Sequence, residues 1–145
     1  MIRRLLLAFA LFALASPAFA QEEPFEVGQV WTLQPPGHPD ARVRVGRIED
    51  HGQTIHISMW GVPAPAPQIT DIVASPLIAS HLPITSTALR NSVAHRVDDS
   101  PPTDLQFEEG YRTWREAEGG VFTLTVPEII DAIYQTVETG TPSKQ

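Results

Sequence analysis

The stretch that decides the fold is residues 41–61, ARVRVGRIEDHGQTIHISMWG. Two runs rich in valine, isoleucine and threonine, residues 41–49 and 54–61, flank the turn-forming sequence DHG at 50–52. β-branched residues favour strands, whereas Asp and Gly favour turns. The stretch therefore predicts an antiparallel β-hairpin.

Side-chain alternation divides this hairpin into two faces. Pairing Glu49 with Gln53 aligns four apolar residues on one face: Val43, Val45, Ile57 and Met59. The same pairing places the polar and cationic residues on the other face, with Arg42 opposite Trp60, Arg44 opposite Ser58 and His56 opposite Gly46. Arg47 is out of phase with this alternation, so either the pattern relaxes near the turn or Gly46 marks a β-bulge.

Further strands are expected on both sides of the hairpin. Residues 27–33, around Trp31, predict a first strand. Residues 62–67 contain three prolines, which makes them extended and excludes them from a central strand. Residues 68–73 predict a short edge strand, and residues 75–83 are ambiguous between strand and helix.

The second half of the chain is predominantly helical in pattern. Residues 86–97 and 105–118 predict two helices, the second with Phe107, Tyr111 and Trp114 spaced for one helical face. That aromatic stripe favours a core position, with a ligand groove as the alternative. Gly110, inside the second helix, suggests close approach of a neighbouring group. Residues 121–125 predict a short late strand.

A capping box predicts the start of a last helix. Thr125 is its expected N-cap and Glu128 the third helical residue. We therefore predict an α+β fold, in which a small antiparallel sheet of the N-terminal strands plus one late strand is covered on one face by about three helices. Residues 21–145 form a single domain with mobile ends at 21–26 and 139–145.

The first 20 residues have the pattern of a secretory signal peptide. Arg3 and Arg4 precede an apolar run over residues 5–15, and the small-x-small triplet at 18–20 suits a cleavage site. The apolar run is shorter than the about 20 residues that a membrane-spanning helix needs. We expect an exported protein, periplasmic or secreted, that is soluble and without a membrane association after cleavage.

Composition excludes several classes of site. The chain has no cysteine, which excludes disulfides, cysteine nucleophiles, cysteine-ligated metals and a lipid anchor on cysteine. Its net charge of −7 argues against non-specific binding of nucleic acid. Neither a serine-hydrolase elbow nor a phosphate-binding glycine loop occurs, so no catalytic residue and no cofactor is implied.

Several short motifs follow one another in an order that resembles a known family. They are Val30-Trp31, HIS at 56–58, HLP at 81–83, ALRNSV at 88–93, FEEGYRTW at 107–114 and GGVFT at 119–123. In this order they resemble a family of small exported bacterial proteins of unknown function, most specifically through Phe-Glu-Glu-Gly-Tyr-x-x-Trp. The resemblance implies a bacterial exported protein and implies no activity.

The candidate binding residues lie on the polar hairpin face, joined by one histidine from the second half. They are Arg42, Arg44, His56, Ser58, Trp60 and His81. Arg42 can stack on Trp60, and Arg44 with His56 can donate to a carboxylate. A solvated sheet face is the alternative interpretation. Histidine spacing gives no metal site, because no two histidines stand at His-x-His or His-x-x-x-His spacing.

Three functions remain open at this point. The first is a binding module without turnover, for a protein or a small anionic ligand. The second is a small periplasmic enzyme, metal-assisted or not, that uses His56 and His81. The third is an inhibitor or immunity protein, whose acidic charge suits a basic exported toxin.

Overall fold

The fold is an antiparallel sheet packed against helices, as the computed structural model of residues 23–63, 77–103 and 106–139 shows. The strands are β1 (Val30–Leu33), β2 (Arg42–Glu49), β3 (Thr54–Val62), β4 (Leu77–Thr85) and β5 (Val93–Val97), and the helices are α1 (Ser86–Ser92), α2 (Phe107–Glu116) and α3 (Val126–Thr139). The order in the sheet is β4-β3-β2-β1-β5. The α+β prediction is confirmed, although the helices lie on both faces of the sheet and not on one. The predicted leader (1–20) and edge strand (68–73) lie outside the described residues.

The hairpin of β2 and β3 has the predicted alignment over most of its length. Arg44 pairs with Ser58 and Val45 with Ile57, and a β-bulge then falls between Val45 and Arg47. The bulge settles the earlier alternative in favour of Gly46. Because it adds one residue to β2, the pairing nearer the turn differs from the prediction, with His56 opposite Arg47 instead of Gly46 and Glu49 opposite Thr54 instead of Gln53.

One face of the sheet carries the hydrophobic core. Ile55, Ile57 and Met59 of β3 are fully or almost fully buried there, together with Leu89 of α1 and Ile130 of α3. Apolar side chains at alternate strand positions produce this continuous face. Helices α1 and α3 therefore cover the apolar face of the sheet.

Helix α2 covers the opposite face. Its Tyr111 contacts the ring of His56, which alternates along β3 with the core residues Ile55 and Ile57. The segment 54–59 of β3 is consequently buried on both sides. The sheet is thus a middle layer at β3, with an apolar face toward α1 and α3 and a polar face toward α2.

Two segments differ from the sequence prediction. The predicted helix over residues 86–97 ends at Ser92, and Val93–Val97 forms β5 beside β1. Ser92 Oγ donates to the carbonyl of Ala88 at 2.6 Å and accepts from the amide of Val126 at 2.8 Å, so this side chain joins the end of α1 to the start of α3. The chain is then free to pair as a strand, which the β-branched ends of Val93–Val97 favour.

The predicted late strand at residues 121–125 is reduced to a single bridge. Phe122 donates its amide to the carbonyl of Pro83 at 2.9 Å and accepts from the amide of Thr85 at 2.9 Å. The bridge to Ile84 on the outer edge of β4 is parallel. The late strand of the sheet is therefore β5, and residues 121–125 lie along the edge of β4.

The capping box at the start of α3 is confirmed. The amide and the hydroxyl of Thr125 each donate to Glu128 Oε2 at 2.7 Å. Ile129 and Ile130 are buried, and Ile133 and Tyr134 pack against the core.

Among the described residues, no helix combines the length and the apolarity that crossing a membrane requires.

The segment before β1 contributes to the core through Phe25. Its ring contacts Trp31 edge-on at 5.7 Å between centroids, and the guanidinium of Arg90 lies 4.2 Å from its centre. Phe25 belongs to residues 21–26, which were expected to be mobile, and its side chain is buried.

Candidate functional site

The structure places the predicted binding residues on the polar face of the sheet. Arg42 lies opposite Trp60 and Arg44 opposite Ser58, as predicted. His81, from β4, stacks on His56 with 5.2 Å between ring centroids. All of these residues share one face, although they come from three strands.

Accessibility differs sharply within this group. His56 is buried beneath α2 and Ser58 is also buried, whereas Arg44, Trp60 and His81 are partly exposed. Ser58 Oγ is a buried oxygen without a hydrogen-bond partner among the described residues. Arg42 donates to Asp99 at 3.1 Å, so its charge is already neutralised. The polar face is therefore divided into an open part around Arg44 and Trp60 and a covered part around His56.

Two glycines allow α2 to lie this close to the sheet. A Cβ at Gly110 would stand 2.6 Å from the Cβ of His81, as the expected close approach at this residue requires. A Cβ at Gly46 would stand 2.3 Å from the ring of Phe107. Gly110 inside a helix costs about 1 kcal/mol relative to alanine, and here it admits the side chain of His81.

Aromatic rings of α2 surround the two histidines. Tyr111 and Trp114 meet His56 edge-on, with centroids 5.1 Å and 4.7 Å away, and Phe107 meets His81 at 5.5 Å. The indole of Trp114 is fixed by a hydrogen bond to the carbonyl of Gly120 at 2.9 Å. The aromatic stripe of α2 therefore packs on the histidines. Phe107 and Tyr111 are buried, as the predicted core position requires, although they lie across the sheet from the aliphatic core and Trp114 is partly exposed.

Hydrogen bonds connect these side chains into a relay, by which we mean Tyr111, Glu49, His56 and His81. The hydroxyl of Tyr111 donates to Glu49 Oε1. Glu49 Oε2 lies 3.3 Å from His56 Nε2, and His56 Nδ1 lies 2.9 Å from His81 Nε2. The relay runs from the α2 helix through the end of β2 to β4.

The carboxylate of Glu49 determines which nitrogen of each ring carries the hydrogen. An ionised carboxylate only accepts, so a neutral His56 donates from Nε2 and keeps Nδ1 as an acceptor. His81 then donates from Nε2 to His56 and retains an acceptor at its own Nδ1. The relay thus assigns the Nε2–H tautomer to both histidines.

Burial favours the neutral form of both histidines. It lowers the pKa of His56, and the neighbouring Glu49 opposes this shift only in part. Burial, together with the nearby His56, lowers the pKa of His81 to about 4, although Glu108 acts in the opposite direction. Both rings are therefore uncharged at neutral pH, as the tautomer assignment requires.

At the other end of the relay, Glu49 is held in its charged form. The hydrogen bond from Tyr111 lowers the pKa of Glu49, and His56 adds to this shift. The same hydrogen bond raises the pKa of Tyr111. The carboxylate is therefore the one charged group of the relay at neutral pH.

Arg47 covers the outside of the relay. Its guanidinium carbon lies 4.2 Å from the centre of the Tyr111 ring, and its Nη2 lies 3.2 Å from Glu108 Oε2. The i, i+4 spacing of Glu108 and Arg112 predicts an ion pair along α2, but the ion pair that Glu108 makes is with Arg47. The bulge at Gly46 turns Arg47 toward α2, which explains why the partner of Glu108 comes from the sheet.

An apolar cavity of about 480 Å³ adjoins His81 at the outer edge of β4. Its lining consists of His81, Leu82, Phe122, Leu124, Ile129, Ala132, Ile133 and Thr136. His81 and Thr136 are the residues with polar side chains in this lining. Such a volume and lining are typical of a site for a small molecule.

Metal binding finds no support in the described ranges. No group of three or more histidine, aspartate or glutamate side chains in 23–63, 77–103 and 106–139 is arranged to hold an ion. His56 Nδ1 accepts the hydrogen that His81 Nε2 donates, so this hydrogen bond leaves neither nitrogen available to a metal ion.

Sequence reasoning retained His56 and His81 and missed Glu49, Tyr111 and the cavity. Glu49 stands at the end of β2, where the bulge moves it onto the face of His56. The signal for Tyr111 was present in its position one turn after Phe107, but a helix pattern does not reveal which face of the sheet it meets.

No family model matches the chain, and no curated protein and no solved structure matches it either.

Proposed function

We propose that this protein is a small exported binding protein that holds an apolar or amphiphilic small molecule at the edge of β4 without converting it. The observation that carries the proposal is the cavity of about 480 Å³ between β4, residues 122–124 and α3. The leader pattern of residues 1–20 supports export, to the periplasm or outside the cell. His81 belongs both to the lining of the cavity and to the relay, and would connect the two.

The rim of the cavity supports the proposal. Phe122 is 44% exposed and Leu124 is 47% exposed, and both line the cavity. Apolar side chains that face solvent next to a concave apolar lining are a common feature of ligand sites. A bound apolar chain would remove this surface from water, which would favour binding by about 25 cal/mol of free energy for each Å² buried.

The experiment is a titration of the mature protein with the fluorescent apolar probe N-phenylnaphthylamine. We expect saturable binding with one probe per chain. Ala132 is an exposed α3 residue that lines the cavity, so Ala132→Trp fills the cavity without disturbing the core. We expect at least about a tenfold loss of affinity in this variant, since an indole occupies most of the space that the probe needs.

The matched control is Asp131→Trp, which adds the same indole to an exposed position of α3 outside the lining. This variant should bind the probe as the unmodified protein does. Absence of saturable binding, or an equal loss in both variants, would refute the cavity as the binding site.

A small enzyme is the second candidate, and the relay is the observation that favours it. A carboxylate that orients one histidine, which in turn orients a second, is an arrangement used in general base catalysis. The pKa of about 4 for His81 makes it a weak base at neutral pH, which is why binding is preferred. Hydrolysis of p-nitrophenyl butyrate that disappears in His81→Gln would establish the enzyme instead.

The open part of the polar face keeps its predicted role as a surface for an acidic protein or a small anionic ligand. Arg44 and Trp60 are its partly exposed members. The double variant Arg44→Ala with Trp60→Ala, compared with the unmodified protein in co-purification from a bacterial envelope fraction, tests this role. A partner that is retained by both would exclude the surface.

A further inference from the structure

We infer that α2 is an acid-released cover of the polar face. Two protons on the histidine pair, by which we mean His56 and His81, force the rings apart and detach α2 from the sheet, while the aliphatic core on the other face stays folded. The release joins the covered part of the polar face to the open part around Arg44 and Trp60. Neither the cavity at β4 nor its ligand is needed for this release.

The hydrogen bond within the histidine pair has room for one hydrogen only. At neutral pH His81 Nε2 donates to His56 Nδ1 across 2.9 Å, and His56 Nε2 donates to Glu49. A first proton can bind at Nδ1 of His81, which leaves both hydrogen bonds as they are. A second proton must bind at Nδ1 of His56, where it meets the Nε2 hydrogen of His81. The doubly protonated pair therefore loses its hydrogen bond and places two positive charges on stacked rings.

The charged groups around His56 come from β2 and from the turn that follows it. Glu49 lies 3.3 Å from His56 Nε2 and Asp50 also favours the charged ring, whereas Arg47 opposes it. Tyr111 of α2 donates to Glu49 and stays uncharged, because this hydrogen bond raises the pKa of Tyr111. Burial outweighs the two carboxylates and lowers the pKa of His56. Glu49 can therefore compensate one imidazolium of the pair.

The carboxylate that faces His81 is that of Glu108 on α2. It favours the charged ring, but it is already paired with Arg47 at 3.2 Å. Burial, followed by the charge of His56, lowers the pKa of His81 to about 4. Because the two rings titrate as a coupled pair, the second proton binds at a lower pH than the first. We therefore expect the release below about pH 4.

Helix α2 is attached to the sheet through the histidine pair and the side chains around it. The Cβ of His81 faces Gly110, and the rings of Phe107 and Tyr111 contact those of His81 and His56 respectively. Phe107 and Tyr111 are the buried side chains of this helix. Separation of the two imidazole rings therefore removes the surface on which α2 rests.

The aliphatic core does not depend on α2. Ile57 of β3 packs there with α1 and α3, on the other face of the sheet. The release uncovers His56, whose polar ring water can hydrate. A segment that buries little apolar surface can open on its own while the rest of the fold persists. The detachment of α2 is thus a local opening and not global unfolding.

Hydrogen exchange of the mature protein, followed amide by amide between neutral pH and about pH 3, tests the release. After correction for the intrinsic pH dependence of exchange, we expect the amides of residues 110–116 to lose protection at least about tenfold more than those of Leu89 in α1 and Ile130 in α3. An equal loss in all three helices, or full protection of α2 throughout, would overturn the inference.

His81→Gln removes one titrating ring and with it the conflict between two protons. The glutamine amide takes up no proton in this range and can still donate to His56 Nδ1. We expect α2 of this variant to keep its protection where the unmodified protein loses it. The matched control is His95→Gln, the same change at an exposed histidine of β5, which should release α2 as the unmodified protein does. Release at the same pH in both variants would exclude the histidine pair as the cause.

Nitrogen NMR of the imidazole rings tests the order of events in the unmodified protein, whether or not His81→Gln folds. We expect the amide signals of α2 to keep their positions while the pair carries one proton and to be lost as the second proton binds. Two fully protonated rings beside a protected α2 would contradict the release. Loss of α2 protection before either ring is protonated would contradict it as well.

Discussion

The two faces of the sheet at β3 are built from different chemistry on the same five residues. Ile55, Ile57 and Met59 point into a core of aliphatic side chains, whereas His56 and Ser58 between them point toward α2. The first face depends on apolar volume, and the second on hydrogen-bond direction and on close backbone approach at Gly46 and Gly110. One strand thus separates the part that stabilises the fold from the part that positions a polar group.

This difference indicates how a polar strand face becomes buried without losing its polarity. The polar atoms of His56 are both satisfied, by Glu49 and by His81. The aromatic rings of α2 then exclude water from bonds that already exist, which strengthens them. The apolar face needs no such preparation, because its burial is favourable by itself.

The largest expected effect is on the apolar face. Ile57→Ala removes a side chain that is 0% exposed and should lower the free energy of unfolding by about 2–5 kcal/mol. Urea unfolding measures this change. Val27→Ala is the control, since Val27 is 60% exposed and its truncation should change stability by less than about 0.5 kcal/mol. Comparable losses in both variants would contradict the assignment of the core.

The second prediction concerns the closeness of α2. Alanine in place of glycine inside a helix normally stabilises it by about 1 kcal/mol. Gly110→Ala should instead destabilise the protein by about 1–3 kcal/mol, because the new Cβ meets the Cβ of His81. Thermal unfolding gives the sign. Gly120→Ala has open space around it and should be nearly neutral. A stabilised Gly110→Ala would mean that α2 is not tightly packed on β4.

Acid should act on the polar face. Because the pKa of His81 is lowered from 6.5 to about 4, the unfolded chain binds more protons between these values. Stability is therefore complete above about pH 6.5 and falls as the pH decreases toward about 4, with His56 acting in the same direction. At about pH 5 the lowered pKa of His81 should reduce the free energy of unfolding by about 1 kcal/mol, a value discounted for the partial exposure of this side chain.

The lowered pKa of Glu49 adds to this loss only below about pH 4.5, where the carboxylate becomes protonated in the unfolded chain while it is still ionised in the folded protein. Melting temperatures of the unmodified protein and of His81→Gln, recorded across this pH range, separate the histidine from the general effect of net charge. Identical pH profiles for the two proteins would show that His81 does not titrate as described.

The smallest effect is expected on the outer surface of the relay. Glu108→Gln breaks the ion pair between Glu108 and Arg47, whose side chains are 74% and 40% exposed. Because exposed ion pairs contribute little, this change should lower the free energy of unfolding by less than about 0.5 kcal/mol. Urea unfolding at low and high salt measures it. A loss above about 1 kcal/mol would show that the pair, and not the glycine contacts, holds α2 in place.

Local pattern predicted the elements whose signal is contained in neighbouring residues. Alternation gave the pairing of Arg44 with Ser58, the phase error at Arg47 indicated the bulge, and Thr125 with Glu128 marked the start of α3. The helical spacing of Phe107 and Tyr111 likewise identified α2. These features depend on few residues and on short-range geometry.

Features that depend on distant pairing were missed. Val93–Val97 continues the helical pattern of residues 86–92, and only its pairing with β1 makes it a strand. The polar face of β3 reads as solvated until α2 is placed on it, and the relay exists only once Tyr111 reaches Glu49 across that packing. The sequence carries the glycine that permits this contact, but not the identity of the side chain that enters the space.

Gly46 and Gly110 also restrict how α2 can pack on the sheet. Gly46 of the sheet admits Phe107 of the helix, and Gly110 of the helix admits His81 of the sheet, so each partner supplies one recess and one projection. If α2 were displaced by one residue, Phe107 and His81 would no longer face the two glycines and would clash with the side chains at the neighbouring positions. Docking of α2 is therefore restricted to this alignment, which fixes the position of the His81 imidazole without a cross-link.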